Sequence, residues 1–211
     1  IILPKDQAKF DVLPPQYSHL YLAVGGTLAA VICIEDPLRQ EAKEVIAQLK
    51  ALGLSKIVMM TGDSYRTAQA VAKEVGVTEF HAEVLPEDKA AFVRKEHEAG
   101  RKVIMIGDGV NDSPALSESD AGVSISTGAA IAREVADITI SAEDLRCLVT
   151  LRQISDALMA RIHGNYRFII SFNMMLIILG VAGILPPTTS ALLHNISTLG
   201  ISLKSMTNLL E

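Results

Sequence analysis

The run Ile106-Gly107-Asp108-Gly109-Val110-Asn111-Asp112-Ser113-Pro114-Ala115-Leu116 sets two carboxylates four residues apart, with an amide between them, directly after an apolar stretch. Hard oxygen ligands on a glycine-loosened loop suit Mg²⁺, which is held by one or two carboxylates together with phosphate and water. Asp108 and Asp112 are therefore candidate metal ligands, with Gly107 and Gly109 freeing the backbone around them. An Asp-Gly hairpin turn is the alternative, but a helical pattern, not a partner strand, follows Pro114. A second cluster, Thr61-Gly62-Asp63, lies just beyond the apolar Met59-Met60. There, backbone N–H groups and a following helix N-terminus can hold an anion such as phosphate; the same residue types also make an ordinary turn and helix cap. Between the two, Pro86-Glu87-Asp88-Lys89 opens a helix with a lysine near its amino end. The helix dipole disfavours a cation there, so a bound anion would explain Lys89, as would simple solvation.

These residues need strand ends to hold them, and the pattern supplies strands. Residues 1–18 show no sustained period and read as a connection. His19 to Val24 and Thr27 to Ile34, split by Gly25-Gly26, predict a β-hairpin. Asp36 and Pro37 predict a helix start, and Val45, Ile46, Leu49 and Leu52 a helix ending at Gly53. The rest alternates: strand Ile57 to Met60, helix Tyr65 to Val75, helix Glu87 to Glu98, strand Val103 to Ile106, a short helix near Pro114, strand Gly122 to Ile125, helix Ala129 to Val135 and strand Ile138 to Ile140. Short apolar strands between amphipathic helices argue for a mainly parallel sheet covered on both faces, with ligands at the carboxyl ends of its strands.

The final third is a different medium. Mean hydropathy is +0.33 although 20% of residues are charged, so the two kinds of residue must be segregated. Indeed Phe168 to Leu203 holds no Asp, Glu, Lys or Arg. A long helical pattern from Ala142 to about Tyr166 leads into this stretch, which Pro186-Pro187 divides into two spans of roughly 27 Å each as helix, close to the ~30 Å of a bilayer core. Arg161, Arg167 and Lys204 flank the spans and the Pro-Pro-Thr-Thr turn carries no charge, so both ends are expected on the cytoplasmic side. A buried helical hairpin is the alternative. Net charge is −5 with no basic run, so nucleic acid is not an expected partner. Cys33 and Cys147 stand far apart and suggest neither a disulfide framework nor a zinc site. The first residue is Ile1 and no signal peptide follows, which predicts a start further upstream.

In their order and spacing the three polar motifs resemble the second half of the phosphorylation domain of P-type ATPases, within the haloacid dehalogenase-like group. Asp36-Pro37-Leu38-Arg39 resembles the stretch that follows that family's nucleotide-binding domain, and the likeness runs from about Leu20 to Leu210. It implies a partial, Rossmann-like α/β parallel-sheet domain followed by a transmembrane α-helical hairpin. The implied division is a connection over 1–18, the partial phosphorylation domain over 19–150, a stalk helix over 151–167 and two membrane helices over 168–211. It also implies that Asp108 holds Mg²⁺ with Asp112 in support, on a loop shaped by Gly107 and Gly109. Asn111 and Asp112 would support the phosphate site, Lys89 would neutralise the transferred phosphoryl group, and Thr61, Gly62 and Asp63 would line it. ATP would be the donor, on a nucleotide-binding domain outside this chain.

That family's nucleophile is an Asp followed by Lys-Thr-Gly-Thr, and the 211 residues contain no such segment. The expectation is the carboxyl-terminal part of an ATP-driven transition- or heavy-metal pump in the plasma membrane, its α/β domain cytoplasmic, inactive by itself. Its partners would be the transported cation, membrane lipid and the remaining domains of the same pump. The terminal hairpin most resembles the heavy-metal-transporting branch. By that likeness Asn173 is a candidate ligand of the transported ion; where copper transporters carry Met and Ser, and zinc or cadmium transporters a carboxylate, this chain departs with His194-Asn195 and Ser197 nearby, further candidates because imidazole suits several borderline metals. Polar residues in membrane helices also serve as interhelical glue. The competing readings are a soluble haloacid dehalogenase-like phosphatase, which needs its own Asp-x-Asp nucleophile, and a non-catalytic truncated membrane protein.

Overall fold

Gly25 and Gly26 turn the chain back on itself with φ of +58° and +78°, the pair of positive angles that a two-residue hairpin turn demands. They join β1 (Ser18–Val24) to β2 (Thr27–Ile34) in an antiparallel ribbon with a register shift at Leu22/Ala23. The computed structural model describes residues 2–3, 6–14, 17–34, 37–107, 110–125, 134–140 and 144–210. The chain divides into two units, Ile1–Val149 and Thr150–Glu211.

In the first unit a short helix, α1 (Gln7–Asp11), precedes the ribbon, and α2 (Ala42–Ala51) follows it. The expected start of α2 at Pro37 is corrected. Asp36 lies outside the described residues, and the chain reaches the helix through a turn in which Ala42 N–H donates to Arg39 C=O at 3.0 Å. Burial explains the shift: the first residue of α2 to enter the core is Val45, followed by Leu49, and packing rather than propensity sustains short helices. Both pack with Val149, backed by Leu52, Leu54, Ile57, Leu145 and Leu148.

Then come β3 (Val58–Met60), α3 (Tyr65–Val75), β4 (Glu79–His81), α4 (Pro86–Glu98), β5 (Ile104–Gly107), a 3₁₀ turn at Val110–Asp112, α5 (Ser113–Glu118), β6 (Ala121–Ile125) and β7 (Ile138–Ile140). α3 occupies the predicted span because Ser64 accepts a hydrogen bond from Thr67 N–H at its start and Gly76, at φ +80°, closes it. α4 begins at Pro86, where Asp88 reaches back to accept from Leu85 N–H at 3.0 Å. β4 was not foreseen; at three residues it has no period and is defined by pairing with β3. Of the expected helix Ala129 to Val135, all but the last two residues lie outside the described ones.

The parallel strands fall into two sets, β3-β4 and β5-β6-β7. β3 and β5 are each an edge of their set. The expected cover on both faces is also only half met: Met105 packs against Ala90, Val93 and Ala115, while Ile104 and Ile106, which point to the other face of β5, are 50% and 38% exposed. A second core thus sits between α4, α5 and one face of β5.

The second unit is a pair of helices. Expected stalk and first span form one continuous helix, α6 (Arg146–Val181), whose first turn belongs to the first unit. It ends four residues short of the predicted boundary because Gly183 turns at φ +73° and Ile184 N–H bonds back to Leu179 C=O. α7 (Pro187–Ser205) follows. Their outer surfaces are apolar and open, with Ile170, Met174, Ile177, Ile178, Leu192, Ile196, Leu199 and Leu203 all exposed. Among the described residues α6 alone is long and apolar enough to cross a membrane; α7 is diluted by His194, Asn195 and its Ser and Thr residues. At one end Arg161 donates to Thr207 C=O (2.6 Å), Asn208 C=O (2.6 Å) and Ser205 C=O (3.4 Å), and Asn165 Nδ2 donates to Ser205 Oγ at 3.0 Å.

One ion cluster ties the first unit together. Glu96 on α4, buried, pairs with Arg101 and with Lys56 (3.0 Å), and Lys56 also reaches Glu79 on β4 (2.8 Å). The Arg101 hydrogen bond, then Lys56, hold the Glu96 carboxyl down at about 2. Its contribution to stability is complete above the ordinary value near 4.5 and disappears as pH falls toward 2. Glu96→Gln should lower unfolding free energy by roughly 1–3 kcal/mol at pH 7. Denaturant titrations of the chain in detergent at pH 7 and pH 3 check this, with the difference between wild type and variant shrinking at the lower pH.

Candidate functional site

The polar motifs sit where strands end. β3 stops at Met60, and Thr61 closes a small turn on itself: its hydroxyl accepts from Asp63 N–H (3.1 Å) and donates to Asp63 Oδ2 (2.8 Å). The turn is laced to the segment before α4, with Val84 N–H donating to Thr61 C=O (3.0 Å) and Glu83 N–H to Asp63 C=O (2.9 Å). A Cβ on Gly62 would come within 4.0 Å of Val84 O. To aim both N–H groups this way Glu83 takes φ +56°, the one positive value among described residues other than glycine, a strained setting of the kind that concentrates at functional sites.

The same segment delivers the lysine. Leu85 and Pro86 open α4, and one turn later Lys89 Nζ meets Asp112 Oδ1 at 2.7 Å. Their side chains are 17% and 11% exposed, so both charges are largely out of water and each depends on the other. Asp112 in turn lies over Gly107, the last residue of β5. A Cβ there would stand 2.6 Å from Asp112 Cβ and 2.8 Å from Oδ2, so only glycine lets the carboxylate occupy this place.

The expected residues are therefore brought together as two groups. Thr61, Gly62 and Asp63 form one; Lys89, Gly107 and Asp112 form the other; the strand-to-helix segment Glu83–Pro86 joins them. Asn111 is exposed on the 3₁₀ turn. Asp108 and Gly109 lie outside the described residues. Among the described residues no three His, Cys, Asp or Glu side chains gather. The donors present are carboxylate and hydroxyl oxygens, with Asp112 Oδ2 not used by Lys89, and such a set fits Mg²⁺ held by few protein ligands plus phosphate and water.

In the second unit, His194 Nδ1 and Asn173 Oδ1 meet at 2.9 Å between α7 and α6. If Nδ1 carries the donated proton, Nε2 keeps the lone pair a metal needs. Ser197 Oγ instead donates to His194 C=O (2.8 Å), and Asn195 makes no hydrogen bond with Asn173 or His194. The sequence reading missed Glu83, for which a single acidic residue gives no signal, and Ser113 and Ser124, whose hydroxyls are buried without partners.

Comparison with known proteins bears on the family and the fold. The family model described as haloacid dehalogenase-like hydrolase matches residues 6–120. The manganese-exporting P-type ATPase of Mycobacterium bovis is 40% identical over 183 residues, 86% of this chain and 26% of that protein. Copper-transporting ATPase 2 of Rhizobium meliloti is 42% identical over 179 residues, 85% of this chain and 21% of that one. A crystal structure of a zinc-transporting PIB-type ATPase in its E2.Pi state superposes with a TM-score of 0.84 at 28% identity, covering 99% of this chain and 34% of that one. The chain spans about a quarter of the length of the curated relatives it matches. With more than half of its residues inside the family match, it belongs to the haloacid dehalogenase-like hydrolases, and its homologues are heavy-metal-transporting P-type ATPases.

Proposed function

We propose that this chain carries part of the phosphate-handling site and two membrane helices of an ATP-driven transition- or heavy-metal pump. The observation that carries this reading is the largely buried Lys89–Asp112 pair over Gly107, at a strand end in a hydrolase fold. In this reading the γ-phosphoryl group of ATP passes to the Asp carboxylate of an Asp-Lys-Thr-Gly-Thr segment outside these 211 residues, and ADP leaves. Water later frees phosphate from that carboxylate. Among the described residues the outer edges of β3 and β5 carry no partner strand, which supports a further strand joining the parallel sets.

Such transfer depends on positioning and on charge stabilisation more than on covalent help from its surroundings. Lys89, kept extended by Asp112, neutralises charge on the equatorial phosphoryl oxygens. The Thr61 hydroxyl and the backbone of Gly62 line the group, with Asp63 orienting Thr61, and Asn111 and Asp112 support it. Asp108 and Asp112, on the loop opened by Gly107 and Gly109, would hold Mg²⁺, which supplies further neutralisation at the transferred oxygens when bound.

The second unit is read as a membrane hairpin. Arg161, Arg167 and Lys204 mark its cytoplasmic end, with the α/β domain in the cytoplasm and the pump in the plasma membrane. Lipid would cover the exposed apolar surfaces, and the other domains of the pump are its partners. His194 Nε2 meets the transported cation while Asn173 fixes the imidazole ring, as outer partners of metal-binding histidines do; Asn195 and Ser197 are secondary candidates. Manganese, copper and zinc all stand in the names of similar proteins, so the proposal extends to the class of cation and not to one element.

The purified chain alone should hydrolyse ATP no faster than buffer; Mg²⁺-dependent turnover by it would overturn the external nucleophile. Co-expressed with a polypeptide carrying Asp-Lys-Thr-Gly-Thr, it should form an acid-stable phosphoprotein. Lys89→Ala and Gly107→Ala should each reduce that product about 100-fold or more, read by radiolabelled phosphate. In a complete pump His194→Ala should abolish metal-stimulated turnover, and unchanged stimulation would remove His194 from the metal path.

A further inference from the structure

Two hydroxyls of the first unit, Ser124 Oγ on β6 and Ser113 Oγ at the start of α5, are buried without a hydrogen-bond partner among the described residues, and Ser124 is wholly enclosed. An unpaired buried hydroxyl is unfavourable, and alanine in its place would remove the penalty at little loss of packing. The direction of Ser124 follows from the sheet. β5 and β6 run parallel with Gly107 opposite Ser124, and side chains of residues so paired rise from the same face, roughly 4.8 Å apart. At Gly107 that face holds the Asp112 carboxylate. At Gly122, on the same face of β6 as Ser124, a Cβ would stand 2.9 Å from Leu116 O of α5. Ser124 therefore projects into the space bounded by α5 and by Asp112.

Asp112 uses Oδ1 for Lys89, and among the described residues nothing donates to Oδ2. A polar separation too long for a direct hydrogen bond is the setting in which a water bridges, and an internal water needs two to four polar partners. We propose that Ser124 and Ser113 hold one internal water beneath Asp112, and that Ser124 is thereby a positioning residue for the Lys89–Asp112 pair. The Ser124 hydroxyl donates to the water; the water donates one hydrogen to Asp112 Oδ2 and the other to Ser113 Oγ. Asp112 is then fixed at both oxygens, by an ammonium on one side and a hydrated hydroxyl pair on the other. The positioning role rests on the phosphate-site reading given above; the water does not.

The test uses the full chain in detergent. Ser124→Ala should raise the unfolded-to-folded ratio about fivefold, and the effect should fall below twofold in an Asp112→Asn or a Ser113→Ala background. A gain in stability on Ser124→Ala, or an equal loss in all three backgrounds, would overturn the proposal. Should Asp112→Asn not fold, the Ser113→Ala cycle and high-resolution density of the unsubstituted chain decide: an ordered water within hydrogen-bond distance of both Ser124 Oγ and Asp112 Oδ2 is expected, and its absence refutes the idea. In the co-expression assay Ser124→Ala should slow phosphoprotein formation roughly tenfold, and an unchanged rate would remove the positioning role. If the unsubstituted chain forms no phosphoprotein at all, the pump reading fails while the stability and density results still judge the water.

Discussion

A lysine ammonium and an aspartate carboxylate, both largely shielded from water, fix how α4, the loop after β5 and the strand end meet. Neither charge could remain there alone, since breaking such a pair by removing one partner leaves the other buried and uncompensated. The geometry that allows it depends on Gly107, where any side chain would occupy the volume of the Asp112 carboxyl. Two separate stretches of sequence, one at position 89 and one at 107–112, are thus bound by one contact. That contact sets charge at the end of a β-strand, where ligands of open α/β sheets bind.

The connection from β4 into α4 does comparable work on the other side. Glu83 and Val84 direct successive N–H groups at the Thr61–Asp63 turn, and the backbone accepts an unfavourable φ at Glu83 to do so. Four residues of chain then convert the position of that turn into the starting point of the helix that carries Lys89. The Thr61 turn and the lysine are thus connected through backbone contacts and the Asp88 cap on Leu85 N–H.

Much of this was legible in the sequence, for reasons that differ by element. α3 could be read to the residue because Ser64 and Gly76 mark its ends chemically. The hairpin could be read because only glycine satisfies both positive angles of its turn. The start of α2 could not, since Asp36-Pro37 has the form of a helix start while burial begins only at Val45. β4 escaped because three residues carry no period. Lys89 drew notice as a cation near a helix N-terminus that called for an anion, and a carboxylate of the chain itself meets it. That Gly107 is required for Asp112, and that Ser124 is enclosed with an unmet hydroxyl, follow from strand register, which spacing along one strand does not disclose. The pairing of Asn173 with His194 likewise depends on how two helices face each other.

The hairpin of the second unit is held at two levels. At one extremity the chain itself joins α6 to α7 through the Gly183 turn; at the other, the Arg161 guanidinium grips three carbonyl oxygens just where α7 finishes. The stretch of α6 from Arg161 to Val181 is thus joined to α7 at both ends of the segment the two helices share. The His194–Asn173 contact lies between those two ties, so any separation of the helices at that level has to come from their middles.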